Sequence, residues 1–466
     1  MWGYLEDASH YHGFADKIHI PTSEAELLAL LREATAARIP VTIAGGGSGL
    51  TGGRVPEGGW SISLEKFNQI RVEEGKATCG AGAILRDVHA AAKRSGQFYP
   101  PDPTETMAAI GGTISCNASG SRSFLYGSTK RWVDRLRFAL MDGTVYDVRR
   151  GEPIPFEVPE VHRPQARKHS AGYPLAPGMD WIDLISGSEG TLAVVIEAEL
   201  KLLPAPSRLL NGIIFFPTDE NALNAVEDWR AVPGLRMLEY GDEPSLNLVR
   251  DKYTEIPAEA KAFVIIEQIL SSEADLDAWE DRLTTHHAFA EASWFGETDA
   301  DRERFRQFRH TFPERTLDLV RQLGFPKFGS DFAVPIAKNR EMLAFYRSEI
   351  AALWDAPFCI YGHIGDAHVH VNLFSPSEAH VPRGKELMAS FARKSVELGG
   401  TVAAEHGLGK RKRDFLPIQY NEAEIAAMRE VKLRLDPHWL LGRGNLFPPE
   451  FAPVFTAAPE PAAVNL

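Results

Sequence analysis

Six glycines within ten residues, fed by a strand-like lead-in, constrain this chain more than any other feature. Residues 40–54 read PVTIAGGGSGLTGGR, so Val41 and Ile43 run into Gly45, Gly46, Gly47, Ser48, Gly49 and Leu50, then Gly52 and Gly53. Glycine lacks a Cβ and reaches positive φ without steric cost, so successive N–H groups can turn inward around one object. Such a nest suits a pyrophosphate. Residues 47–52 match GxGxxG, but in a doubly wound fold that fingerprint opens a helix. Here Arg54-Val55-Pro56-Glu57-Gly58-Gly59 follows, a run in which no helix survives. No Gly-Lys-Ser/Thr closes the loop either. A phosphate cradle and a flexible surface loop remain, and the rest of the chain decides between them.

The 466 residues, 44% hydrophobic, suffice for two or three domains with real cores. A net charge of −13 disfavours nucleic acid as a partner, and the basic run 410–413 reads as a solvated or locally paired segment. Cys79, Cys116 and Cys359 are scattered, without CxxC, which points to a reducing compartment and no disulfide framework. No apolar run approaches the ~20 residues of a membrane span, and the polar N-terminus is no signal peptide. The expectation is a cytoplasmic protein, at most peripheral to a membrane.

Ser23 and Glu26 stand in capping-box spacing before a helix with Leu27, Leu30, Leu31 and Ala34 on one face. Strands are expected at 61–64 and 67–72, a helix at 84–94, and a hairpin over 133–148 turning at Asp142-Gly143. Residues 109–120, small and glycine-rich, offer a second close approach of backbone to ligand. A strand follows 187–192 to about residue 203, and Pro204-Ala205-Pro206 is a linker. Beyond it, strands at 212–216 and 262–270 alternate with helices at 221–229 and 273–282. This pattern suggests an antiparallel sheet with helices on one face. Pro313 is expected to kink or break a helix over 299–323.

The chemistry gathers between residues 361 and 410. In 361–372, YGHIGDAHVHVN, strand alternation puts His368, His370 and Asn372 on one face, and Gly362 and Gly365 can fold His363 back over it. Residues 401–410 place Glu405-His406 before a glycine turn. Imidazoles and a carboxylate so grouped can hold a divalent ion with positions left open. They can equally form a hydrogen-bonded polar cluster, and spacing alone leaves both open.

Over residues 4–447 the chain resembles the flavoproteins of vanillyl-alcohol-oxidase type, in the branch of the D-lactate, glycolate and D-2-hydroxyglutarate dehydrogenases. The motifs that carry the resemblance are the loop 45–53, the segment 100–120 and Ser188-Glu189-Gly190-Thr191-Leu192. With them go the strand 362–372, the turn 405–409, and Asp436-Pro437 with Asn445-Leu446-Phe447. The resemblance implies an α+β fold, with a two-subdomain FAD-binding domain at 1–205 and a substrate domain at 206–410 whose antiparallel sheet is covered by helices. A segment at 411–450 would pack back on the FAD domain, and a loosely ordered tail would follow at 451–466. It implies FAD contacts from Gly45, Gly46, Gly47, Ser48, Gly49, Leu50, Pro101, Gly111, Gly112, Ser115, Asn117, Gly120, Glu189, Gly190 and Asn445. It implies a divalent metal, zinc or else manganese, on His363, His370 and Glu405.

The resemblance also implies oxidation of a small D-2-hydroxy acid, with electrons leaving to a quinone, cytochrome or flavoprotein. His406 would take the hydroxyl proton, since a base working near neutrality suits imidazole. Arg309 and Lys327 would hold the substrate carboxylate; the bland reading of Arg309 is a solvated helix face. Asp331 would brace one of those cations or cap a turn. A homodimer is admitted. Three departures stand out. Ile43-Ala44 replace an arginine common before the glycines, and His368 stands where the D-2-hydroxyglutarate enzymes show asparagine. No histidine lies in 40–54 to tether the flavin, so non-covalent FAD is expected. Two alternatives share the fold: an alkylglycerone-phosphate-synthase-like transferase and a non-catalytic subunit of a glycolate oxidase complex.

Overall fold

In the computed structural model, which describes residues 2–451 and 453, the glycine loop leaves the edge of a small parallel sheet. The strands run Lys17–His19, Trp60–Ser63, Val41–Ala44, with Val41 opposite Trp60. No helix follows Ala44; Gly47 and Gly52, at φ of 81° and 76°, turn the chain instead. The preceding helix, Glu24–Ala36, is capped by Ser23, but Glu26 reaches past the cap to the Thr22 amide and hydroxyl. Leu27, Leu31 and Ala34 are fully buried beneath it.

A second sheet of five antiparallel strands carries the order Ile70–Glu73, Lys76–Gly80, Val194–Lys201, Val133–Ala139, Val145–Arg149. The Asp142-Gly143 hairpin forms as expected. The strand expected at 67–72 starts three residues later, because the Phe67 amide and carbonyl are taken up by Leu64 and Gly82 in a turn. The run 109–120 contains the short helix Ile110–Ser115, whose Gly111 packs so closely on Ala81 that a Cβ would meet its methyl at 2.8 Å. Among residues expected to follow the linker, 440–442 return to the first sheet, where Val41 donates to the Leu440 carbonyl and accepts from Gly442.

The third sheet has seven strands, ordered Trp294–Gly296, Leu209–Phe216, Ala262–Ile269, Leu235–Asp242, Phe358–Gly362, His370–Phe374, Lys327–Gly329, and every neighbouring pair is antiparallel. Helices cover both faces, not one. Leu210, Ile214, Phe216, Val264 and Ile266 pack with Ala222, Val226 and Trp229 of the helix Asp219–Trp229. Ile213, Phe215, Phe263 and Ile265 pack with Phe305, Phe308 and Phe312 of the helix Asp299–Leu323. That helix runs unbroken through Pro313. Proline removes the amide that would pair with the Arg309 carbonyl and costs about 3 kcal/mol in a helix interior. Three phenylalanines buried against the sheet, at ~1.5–3 kcal/mol each, outweigh it. Most of the tail expected at 451–466 lies outside the described residues.

Candidate active site

A cavity of about 700 Å³ runs from the glycine loop to the histidines. At one end lie Gly45, Gly46, Gly47, Ser48, Gly49 and Leu50; Gly111, Gly112, Ser115, Gly120, Glu189 and Gly190 line its flank. At the other end stand His363, His370, Glu405 and His406. The backbone N–H groups of residues 46–51 find no acceptor among the described residues. A Cβ on Gly46 would meet the Met107 carbonyl at 2.5 Å. Unpaired donors on a backbone stripped of side chains fit a dinucleotide phosphate. Three of the expected cofactor residues do not line this cavity. Pro101 is buried, Asn117 accepts from the Lys130 amide, and Asn445 donates to the Gly53 and Glu189 carbonyls while accepting from Lys410.

Two glycine-assisted turns build the histidine end. The strand Phe358–Gly362 pairs with His370–Phe374, Tyr361 opposite His370. Gly362, at φ 137°, lets the His370 ring lie against its backbone, where a Cβ would sit 3.0 Å from Cδ2. His368 falls just before the strand and is fully buried. Donor atoms of His363, His368, His370 and Glu405 all lie within 4.8 Å of one another. The His406 ring stacks over His370 with centroids 5.5 Å apart.

Each group has a fixed partner that sequence reasoning could not name. Glu405 Oε1 accepts from Ser119 Oγ at 2.7 Å, the Gly120 amide at 2.9 Å and Lys168 Nζ at 2.5 Å, while Oε2 faces His363 Nε2 at 3.4 Å. Burial alone would raise its pKa, but His363 and Lys168 hold it well below the carboxylate range. His363 Nδ1 meets Glu239 Oε1 at 2.7 Å. Asp331 touches neither Arg309 nor Lys327. It accepts from the His406 amide at 2.9 Å and lies 3.4 Å from His406 Nδ1 and 3.2 Å from His368 Nε2.

Burial pushes the pKa of His370 well down, with three neighbouring imidazoles adding to it. Burial also lowers His368 and His406, against the pull of Asp331. His363 goes the other way: burial would lower it, but Glu405 and Glu239 raise it above the ordinary histidine value, so an ion held there would take the place of its proton. A neutral His406 is in the form that accepts a proton.

The two expected carboxylate-holding cations lie one layer outside the cavity. Arg309 is not on a solvated face. It is half-buried, donates from Nε to Glu239 Oε2 at 2.6 Å and from Nη2 to Thr104 at 2.9 Å, and so reaches His363 through Glu239. Arg302, Arg304 and Arg306 instead pair at the surface with Asp299, Glu255 and Glu303. Lys327, half-buried, donates to the Asn372 amide oxygen at 2.7 Å. Burial first, then Lys412, lowers its pKa to about 8. A clue to Glu239 was available, since Leu235–Asp242 carries charged residues in a strand buried throughout.

A backbone cradle joined by one cavity to a cluster of imidazoles and a carboxylate is the construction of a flavin-dependent oxidoreductase, and fold and site together define that class. The chain matches the FAD binding domain over residues 15–149 and the C-terminal domain of FAD linked oxidases over residues 205–446. It belongs to the FAD-linked oxidase family. It is 30% identical over 464 residues to the glycolate oxidase subunit GlcD of Bacillus subtilis, covering 95% of this chain and 92% of that protein. It is 30% identical to a D-lactate dehydrogenase of Archaeoglobus fulgidus, covering 91% of this chain and 90% of that one. Among solved structures, an alkyldihydroxyacetonephosphate synthase superposes with a TM-score of 0.65 at 16% identity, over 91% of this chain and 76% of that one, a likeness of fold alone. Among the described residues no helix is long and apolar enough to cross a membrane.

Proposed function

We propose that this protein oxidises a small D-2-hydroxy acid to the 2-oxo acid with non-covalent FAD and passes the electrons to a quinone, cytochrome or flavoprotein. The observation that carries this reading is the single cavity joining the glycine loop to His406 and the histidine–glutamate cluster. Residues 45–50 would hold the pyrophosphate, and His363, His370 and Glu405 a divalent ion, zinc or manganese. When bound, the flavin supplies a hydride acceptor and the ion a Lewis acid for the substrate hydroxyl. His406 takes the hydroxyl proton. Asp331 fixes its ring and favours the imidazolium that results. Lys327, the one of the two cations without a carboxylate partner, attracts the substrate carboxylate. Arg309 contributes through Glu239, since its Nε and Nη2 are already committed. The histidine cluster argues against a non-catalytic subunit.

Anaerobic mixing tests the reading. D-Lactate, glycolate or D-2-hydroxyglutarate is expected to bleach the flavin, and the L-enantiomers of the chiral acids are not. Failure of every D-2-hydroxy acid to bleach a fully flavin-loaded protein would overturn it and leave chemistry without net redox change, as in a transferase.

A further inference from the structure

His368 has the most unusual surroundings of any histidine in the site. Its backbone is pinned on both sides, by the Ala333 bridge and by its amide bond to the His363 carbonyl at 3.2 Å. Its side chain is 0% exposed, and neither ring nitrogen makes a hydrogen bond among the described residues. Nε2 comes within 3.2 Å of Asp331 Oδ1 without reaching hydrogen-bond geometry. Nδ1 has not even that contact; a buried polar atom left unpaired costs about 1–3 kcal/mol, and this one is rigidly held. The other histidines are better satisfied: His363 is bound by Glu239, and His370 Nδ1 lies 3.0 Å from the Ser330 carbonyl. The orphaned ring also faces the other donors, its centroid 4.6 Å from that of His370 and 5.5 Å from that of His363.

We infer that His368 is a fourth protein ligand, so that the ion is held by three imidazoles and the Glu405 carboxylate; this rests on the metal reading proposed above. Lys168, Ser119 and the Gly120 amide occupy Glu405 Oε1, which leaves Oε2 as that residue's single donor. Four protein donors fill a tetrahedral ion completely, the closed arrangement of structural zinc. An ion that must also take a substrate oxygen then needs five or six positions. The site therefore selects an ion that accepts six nitrogen and oxygen ligands, such as manganese, over tetrahedral zinc.

The test uses the full-length, flavin-loaded protein, stripped with chelator and reloaded with Mn2+ alone. X-ray absorption fine structure at the manganese edge counts the imidazoles on the ion. Three are expected in the native protein and two in His368→Asn. Manganese affinity of the variant should fall at least as far as the ~10–100-fold that loss of an outer-shell partner costs. Circular dichroism and flavin content monitor the fold; if the asparagine variant fails there, His368→Gln takes its place, and the native count needs no variant. Two imidazoles in the native protein, or unchanged affinity in a folded variant, would overturn the inference and return His368 to being a neighbour of Asp331. Zinc bound by the native protein where manganese is not would also overturn the inference, and binding of neither ion would overturn the metal reading itself.

Discussion

Replacing Lys327 by methionine isolates one charge at nearly constant volume. Lys327 has an amide oxygen as its partner, so its removal strands no carboxylate. To pair with the substrate its ammonium must turn from Asn372 into the cavity. A hydrogen bond from a charged donor to a carboxylate then contributes about 1.5–3 kcal/mol, and kcat/KM for a hydroxy acid should fall roughly 10- to 150-fold. The pH dependence adds a second signature. With its pKa lowered to about 8, Lys327 loses its charge above that pH. The wild-type kcat/KM should then decline by about tenfold per further unit, while kcat stays flatter because a bound anion holds the proton on. Lys327→Arg should remove this alkaline limb. For folding the sign is opposite. A lysine at about 8 in the fold and 10.5 when unfolded binds fewer protons in the native state. Its burial therefore lowers stability by up to about 3 kcal/mol below pH 8, and the loss is recovered between pH 8 and 10.5. Steady-state kinetics from pH 6 to 10, alongside urea melts, read both effects. An unchanged kcat/KM in flavin-loaded Lys327→Met, or an alkaline limb that persists in Lys327→Arg, would refute the argument.

Arg309→Met should damage the fold as well as activity, because it leaves Glu239 buried without its cation; breaking such a pair costs about 3–5 kcal/mol, and Glu239→Gln in the same chain should restore much of the melting temperature. Acid precipitation should release all flavin into the supernatant, and flavin retained in the pellet would sink the non-covalent expectation. Chelation should abolish substrate-driven flavin bleaching while leaving the resting flavin spectrum intact, with a divalent ion restoring it; full bleaching by demonstrably metal-free protein would reduce the cluster to a hydrogen-bonded one.

Much of this site was legible because its parts are local in sequence. The loop 45–53 declares itself by glycine content, and Pro56 with Gly58 and Gly59 rules out a following helix. His363, His370, Glu405 and His406 sit in short alternating or glycine-flanked segments. What escaped was assembled by topology. Glu239 meets His363 because Tyr240 pairs with Gly362 across two strands, and nothing near residue 239 announces a partner more than a hundred positions away. Lys168 and Ser119 were hidden for the same reason, and Asp331, expected to brace Arg309 or Lys327, meets His406 and His368 instead. The two-faced sheet was misjudged on local grounds: in Leu209–Phe216 apolar residues fill both parities, which marks a strand buried on both faces. Pro313 was read by its intrinsic cost, whereas the three phenylalanines before it decide the outcome.

The turn at 405–409 is stapled from several directions to residues that precede the linker at 204–206. Lys168, Ser119 and Gly120 grip Glu405. Glu189 takes the Leu408 and Gly409 amides at 2.8 and 2.6 Å. The Thr51 carbonyl, inside the glycine loop, accepts from the amides of Lys410 and Arg411. Opening the molecule like a jaw between these parts would tear all of those bonds at once and uncouple Glu405 from its neighbours. Substrate must therefore enter, and product leave, through an aperture set by side-chain and loop movement, on the fast timescale of such motions rather than that of hinge closure. Traffic through this enzyme should accordingly be insensitive to solvent viscosity beyond simple diffusion, and a cross-link joining the two parts should leave turnover intact.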